Sequence, residues 1–322
     1  MGQDRRGVVT VERSRTLITG GTGFLGGACV RHLVERGEHV HVLSRSDVRK
    51  QVGVTWLECD LRDEQEVARI VREVAPSRVL HLAWHVRAPL ETSGDYQASS
   101  AHDEWVAISS SLFSALSDLL PRPTIVAAGS AFEYGSPERP VSEEATVHGA
   151  LTNYAARKRE TLAALRTIAG EGRLRWSWSR LFPLYGGGES PGRLLARVTR
   201  ALLVGEHVAC NHSLYVRDLV LNHDAAYVLA ALLDSPANDV VNVGSGNGHI
   251  LRNVLVELAG MLGATDLLSF EAGGYEVGDT EPAVLVADVE RQRRVIGFVP
   301  STPLSQGLAQ TIDYWRRHAS DG

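Results

Sequence analysis

Lysine is nearly absent from this 322-residue chain: of 33 basic residues only Lys50 and Lys158 are lysine, and arginine does the rest. Cysteine is almost as scarce. Cys29, Cys59 and Cys210 stand far apart, which excludes a disulfide framework and leaves no zinc-type spacing. A reduced cytoplasmic setting is the expectation for such a chain. No apolar run reaches the length of a membrane span, and residues 1–14 are polar and arginine-rich, read here as a loose leader without a signal-peptide core. Aromatic residues make up 6% and the net charge is -5, so no basic, aromatic-interleaved face offers itself to nucleic acid or to an anionic membrane. What remains, 44% hydrophobic and 22% charged, is enough to bury a large α/β core.

Around residue 20 the sequence becomes specific. Thr16-Leu17-Ile18 reads as a buried strand, Gly20, Gly23 and Gly26 punctuate the turn after it, and Leu25, Cys29, Leu33 and Val34 give the following helix an apolar face. Three glycines at this spacing permit a tight turn and close backbone approach to a ligand. The helix start adds unpaired N–H groups, here those around Phe24 and Leu25, that favour an anion such as a dinucleotide pyrophosphate.

Residues 39–43, 54–57, 78–83 and 124–128 read as further strands, with a helix from Asp63 started by an Asp63/Glu66 capping box and a long helix over 101–120. Alternation of this kind predicts a doubly wound parallel sheet of the Rossmann type. At the end of the second strand, Ser44 and Arg45 stand where an acidic side chain would hold a ribose 2′-hydroxyl. A small residue beside an arginine predicts instead a 2′-phosphate, hence NADP.

The fifth strand runs into Ser130, and Tyr154 and Lys158 follow on one face of a helix over 153–169. In a chain that otherwise avoids lysine, Lys158 looks selected for its compact ammonium, which is expected to lower the Tyr154 pKa. Ser130 and Tyr154 then hold and protonate one reacting oxygen, an acid–base site. His207, Cys210 and His212 superficially resemble metal ligands but lack a fourth in register, so no metal is expected.

In order and spacing these motifs resemble the extended short-chain dehydrogenase/reductase family, in its nucleotide-sugar, epimerase/dehydratase-like branch. The resemblance spans 15–315. It identifies residues 19–26 as the cofactor loop, Asp60 and Leu61 as an adenine contact, and Leu82 and Ala83 as the strand passing the cofactor, with Trp84 and Pro183 bordering it. Ser130, Tyr154 and Lys158 are implied as the catalytic triad, Lys158 also binding the nicotinamide ribose. The later runs 180–186, 215–219, 241–246 and 288–300 are similar to the family's remaining signatures. By the same resemblance, residues 15–183 with a returning segment at 214–246 form the NADP-binding Rossmann domain, and 184–213 with 247–322 a smaller C-terminal α/β substrate-binding lobe. A homodimer through the helices at 101–120 and 153–169 is expected.

Departures from the family pattern narrow the reaction. Dehydrating members carry an Asp-Glu pair after the catalytic Ser or Thr, where this chain has Ala131 and Phe132, and C3/C5 epimerases place a cysteine at the first of these positions. Ala107 and Pro183 stand where asparagines are frequent, and Asn211 where many relatives have an arginine. Arg193, Arg197 or Arg217 are alternative diphosphate contacts, while Trp84, His85 and Glu133 lie where sugar hydroxyls would be oriented. With Arg45 arguing for NADP, the expectation is an NADPH-dependent 4-ketoreductase acting on a dTDP-4-keto-6-deoxyhexose. A nucleotide-sugar 4-epimerase holding NAD tightly is the alternative, and a non-enzymatic dinucleotide sensor would not need Tyr154.

Overall fold

Short apolar strands separated by amphipathic helices can bury both faces of a sheet only if the helices cover it from two sides. The computed structural model, which describes residues 15–45, 51–85, 93–147, 149–170, 172, 174–211, 214–235, 237–270 and 282–318, adopts that arrangement. In chain order the elements begin with β1 (Thr16–Thr19), α1 (Phe24–Glu35), β2 (Val40–Ser44), β3 (Val54–Glu58), α2 (Glu64–Val74), β4 (Arg78–His81), α3 (Ser93–Ala98) and α4 (Glu104–Ser117). There follow β5 (Thr124–Ser130), α5 (Asn153–Ala169), β6 (Arg175–Leu181), β7 (Leu184–Tyr185), α6 (Leu194–Leu203), β8 (Val208–Cys210), β9 (Val216–Asp218), β10 (Val220–Leu221) and α7 (Asn222–Leu233). The chain closes with β11 (Asp239–Val243), β12 (Gly248–Ile250), α8 (Leu251–Leu262), β13 (Leu268–Phe270), β14 (Val284–Leu285), α9 (Glu290–Ile296) and α10 (Leu304–Arg317).

Seven strands form one parallel sheet in the order β11-β6-β5-β4-β1-β2-β3. The Rossmann-type sheet expected from the alternation is therefore present, and all seven strands deliver their carboxyl ends to one edge. Ile18, Val42, Leu80, Val126 and Val241 face a core shared with α1 and α7, whereas Leu17, Val79, Ile125 and Trp178 face one shared with α2, α4 and α5. A third core joins α6, α8 and α10 around Tyr185, Val198, Leu255 and Leu308.

Local chemistry sets the element ends. Asp63 caps α2 by accepting from the Glu66 N–H, but the reciprocal half of the expected capping box is missing because the Glu66 carboxylate is drawn to Arg69. Asp218, fully buried at the end of β9, accepts from the Ser245 N–H and hydroxyl, the Gly246 N–H and the Ala287 N–H. One carboxylate thereby ties three distant segments together, and four donors offset much of what its burial costs. No described helix is long and apolar enough to cross a membrane.

Candidate active site

The glycine turn after β1 is shaped by what a side chain would hit. Gly20 has φ +73°, and a Cβ there would lie 2.7 Å from the Ala83 nitrogen; at Gly26 it would lie 2.0 Å from the Gly20 carbonyl oxygen. The turn closes through Gly23 N–H to Gly20 O at 3.0 Å, and α1 begins on Gly23 with no side-chain cap and no acidic residue in its first turn. An uncapped, uncharged helix start preceded by a close-packed glycine cradle fits a diphosphate. Gly26→Ala is accordingly expected to strip the dinucleotide from the purified protein, checked by quantifying nucleotide released on denaturation; wild-type stoichiometry would refute the cradle.

Around this turn the sheet edge assembles the other expected cofactor residues. Ser44 ends β2 and Arg45 is exposed beyond it; Asp60 is exposed, its carboxylate accepting from the Arg62 N–H, beside half-buried Leu61. Leu82 N–H donates to Thr19 O and Ala83 N–H to the Thr19 hydroxyl, both at 3.2 Å, which brings the strand past the glycine turn. Pro183 leads from β6 into β7, its carbonyl accepting from Val220 N–H. Thr19 is also hydrogen-bonded with His81, whose other ring nitrogen meets Ser109, and burial holds His81 down to about 3, so it is neutral. That buried histidine link was not anticipated; its residues lie on three elements with no local spacing to betray it.

Ser130, Tyr154 and Lys158 are brought together. Ser130 closes β5, 5% exposed, its hydroxyl accepting from Phe132 N–H as the cap of a 3₁₀ turn over Ala131–Tyr134. Tyr154 sits one residue into α5, and its ring packs on His102, Tyr96 and Trp84 with centroids at 5.2, 5.4 and 6.4 Å. The indole N–H of Trp84 donates to His102 Nδ1 at 3.1 Å, so the other nitrogen of His102 carries the proton that meets Tyr96 O at 2.7 Å. The tautomer follows because an indole can only donate and a carbonyl only accept. Tyr96 in turn donates to the His85 carbonyl, and His85 stacks on the Tyr96 ring.

Electrostatically the site departs from the expected lysine effect. Burial pushes the Tyr154 phenol up to about 12, opposed by a hydrogen bond with Ser130 and by the charge of Arg193, while Glu133 adds to the rise. Lys158 is held by other partners. Its Nζ donates to Ala128 O at 2.8 Å and lies 3.6 Å from the centre of the Trp84 ring, and burial pulls it down to about 7 against the charge of Glu133. The ammonium is thus spent on a carbonyl and an aromatic face, 5.9 Å from the centre of the Tyr154 ring.

Glu133, expected to orient sugar hydroxyls, is corrected by its surroundings. It is fully buried; Oε1 accepts from the Ser130 N–H at 2.8 Å and the Trp178 indole at 2.9 Å, and Oε2 from Arg180 Nε at 2.9 Å. Both oxygens are engaged inside the protein, and its task is to hold Ser130 in place. The signal was local: Ser130-x-x-Glu133 is the capping-box spacing, and both halves of the box form. Arg193, at the start of α6, pairs with Glu189 at 3.3 Å and acts on Tyr154 through its charge. Arg217 is buried on β9, donating to the Val216 and Ala283 carbonyls over the Tyr215 ring. Arg197 points its guanidinium toward Cys210. His212 lies outside the described residues, and no group of three metal-binding side chains occurs among those described.

A glycine turn at the first strand end, a serine at the fifth and a tyrosine and lysine one helical turn apart between them define a nicotinamide-dinucleotide enzyme, and the family follows. A family model described as the NAD dependent epimerase/dehydratase family matches residues 16–244, and the chain belongs to that family. It is 27% identical to UDP-glucose 4-epimerase of Streptomyces lividans, with 94% of this chain and 96% of the relative covered. It is 25% identical to UDP-glucuronate 4-epimerase 2 of Arabidopsis thaliana, covering 95% of this chain and 76% of that one. The solved Thermus thermophilus UDP-glucose 4-epimerase in complex with NAD superposes with a TM-score of 0.81 at 27% identity, over 94% of this chain and 99% of that one. These relatives overturn the expected NADPH-dependent ketoreductase of a 4-keto-6-deoxyhexose: they are named as 4-epimerases. Ser130, Tyr154 and Lys158 are common ground for both reactions, so the triad alone could not separate them.

Proposed function

We propose that the protein is a nucleotide-sugar 4-epimerase that inverts C4 of a UDP-hexose with a tightly held NAD. The observation that carries the reading is end-to-end similarity to UDP-sugar 4-epimerases combined with a single buried Tyr154–Ser130 pair at the sheet edge. A bound NAD supplies the chemistry of removing hydride from C4 and returning it to the opposite face. The chain's own residues handle the proton and the geometry. Tyr154 is the group positioned to exchange the proton of the C4 hydroxyl: its ionised form takes that proton as the ketone forms, and the phenol so produced gives it back as the alcohol re-forms. Ser130, fixed by its own cap to Phe132 and by Glu133, holds the same oxygen. Ala131 and Phe132 supply no second acid or base after the serine, which fits a reaction that leaves C5 and C6 untouched.

Arg45 suits a 2′-phosphate, yet it stands exposed at the strand end, where an arginine serves equally as a solvated surface charge. We read the resident cofactor as NAD and Arg45 as a bystander, in keeping with the NAD bound by the Thermus relative. Two measurements test the proposal together. Nucleotide released from the purified protein should be NAD rather than NADP. UDP-glucose should equilibrate with UDP-galactose, followed by NMR, without net production of NADH. Release of NADP, or a UDP-glucose pool that stays unchanged, would overturn it.

A further inference from the structure

A lysine as deeply buried as Lys158 ordinarily has a carboxylate for a partner. Here Nζ donates to the Ala128 carbonyl at 2.8 Å, and among the described residues no carboxylate pairs with it. Glu133 acts on it only through its charge, because both carboxylate oxygens are taken by Ser130, Trp178 and Arg180. The histidines that face it add nothing: His81 of β4 is neutral within its bonds to Thr19 and Ser109, and His102, just ahead of α4, accepts the Trp84 indole N–H and is neutral too. Tyr154 stands one turn earlier on the same helix. In such surroundings burial favours the uncharged amine.

Trp84 opposes that tendency by its placement. Nζ lies 3.6 Å from the centre of the Trp84 ring, whereas the Tyr154 and Trp178 ring centres are each 5.9 Å away. A cation over an indole meets the negative face of its quadrupole, and the attraction is greatest where water is excluded. The ring is not free to turn aside. Its N–H is held by His102 Nδ1 at 3.1 Å, His102 is held in turn by the Tyr96 carbonyl at 2.7 Å, and Trp105 packs on the indole with centroids 5.8 Å apart. The same indole meets the Tyr154 ring edge to face, with centroids at 6.4 Å.

Resting for its catalytic consequence on the epimerase reading above, we propose that Trp84 is a positioning residue: its ring face keeps Lys158 in the ammonium form beside Tyr154, and His102 fixes the indole in the orientation that does so. A cation 5.9 Å from the centre of the Tyr154 ring favours the phenolate that takes the sugar's proton, and a neutral amine there does not. An aliphatic side chain in place of Trp84 would fill much of the space and leave the lysine to the effect of burial alone.

The scarcity of lysine makes this charge directly measurable. Protein labelled with carbon-13 at lysine Cε carries signals from Lys50 and Lys158 alone, and Lys50→Arg assigns them. In the NAD-loaded protein the Lys158 midpoint, followed by NMR against pH, should fall by ~1 or more on the pH scale in Trp84→Leu, and Trp84→Phe, which keeps an aromatic face, should retain about half of that difference. The rising limb of kcat against pH should move up by ~1 in the Leu variant and by less in the Phe variant. Should the Leu variant fail to fold, biosynthetic fluorinated tryptophan, with the same ring shape and a less negative face, should lower the Lys158 midpoint in the same direction. A merely structural Trp84 would leave that midpoint where it is in every one of these proteins, and that result overturns the assignment. So does a Phe variant that falls as far as the Leu variant, or a shifted Lys158 midpoint with an unmoved kcat limb. The titration needs no substrate, so wild-type protein that does not turn over UDP-glucose overturns the substrate reading while the Lys158 midpoints still decide whether Trp84 holds the charge.

Discussion

Tyr154→Phe should lower the rate of C4 inversion by ~10³-fold, within the range a single positioned acid–base group contributes. The substitution keeps the ring that packs on His102, Tyr96 and Trp84 and removes only the hydroxyl that meets Ser130. Bound NAD should therefore stay in place, and the unfolding midpoint should stay near wild type. Comparing initial rates of UDP-galactose formation at saturating substrate isolates the chemical loss from any loss of binding. A fall of less than ~10-fold would mean that another group moves the proton, since tenfold lies well below what such a role contributes.

Breaking the ion pair under Ser130 should have the largest effect on stability. Glu133→Ala leaves the Arg180 guanidinium, the Trp178 indole N–H and the Ser130 backbone N–H buried without their acceptor. Removing one member of a buried pair costs on the order of 3–5 kcal/mol, because the remaining charge loses both its partner and its water. Chemical denaturation followed by tryptophan fluorescence would read it directly, with Trp178 against the lost carboxylate as reporter. Replacing Arg180 and Glu133 together with apolar residues of similar volume should recover much of the loss, which separates an unpaired charge from simple bad packing. A single-variant loss below ~1 kcal/mol would show that solvent or rearrangement satisfies these groups, as happens at exposed pairs.

The fold was legible wherever one chemical rule governed a stretch. Glycines at 20, 23 and 26 between an apolar strand and an amphipathic helix, and the recurring strand–helix alternation, lead directly to the sheet seen here. The spacing of Tyr154 and Lys158 placed them correctly on one helix, because helical periodicity is local. What stayed hidden depends on partners far along the chain. β6 reads Arg-Trp-Ser-Trp-Ser-Arg-Leu, an alternation suited to an edge strand with one wet face, yet Ser177 and Ser179 are fully buried between β5 and β11. The expected fall in the Tyr154 pKa failed because burial pushes the phenol up, and four-residue spacing fixes which helix face Lys158 occupies but shows neither that burial nor that Ala128 O and Trp84 claim its ammonium. Glu133 is the instructive exception. Its capping-box spacing was visible in the sequence, and a carboxylate beside a catalytic serine invited a substrate role instead.

The strand order carries a consequence for how this chain is made. β6 lies between β5, which precedes it, and β11, which follows only after β7 to α7 have been synthesised. At translation rates of roughly 5–20 residues per second, the outer edge of β6 waits on the order of seconds on the ribosome with its backbone donors and acceptors unpaired. That open edge is a template for another nascent chain. Crowding on a heavily loaded messenger should therefore favour misassembly at β6, and slowing initiation, without touching the sequence of the protein, should raise the soluble yield.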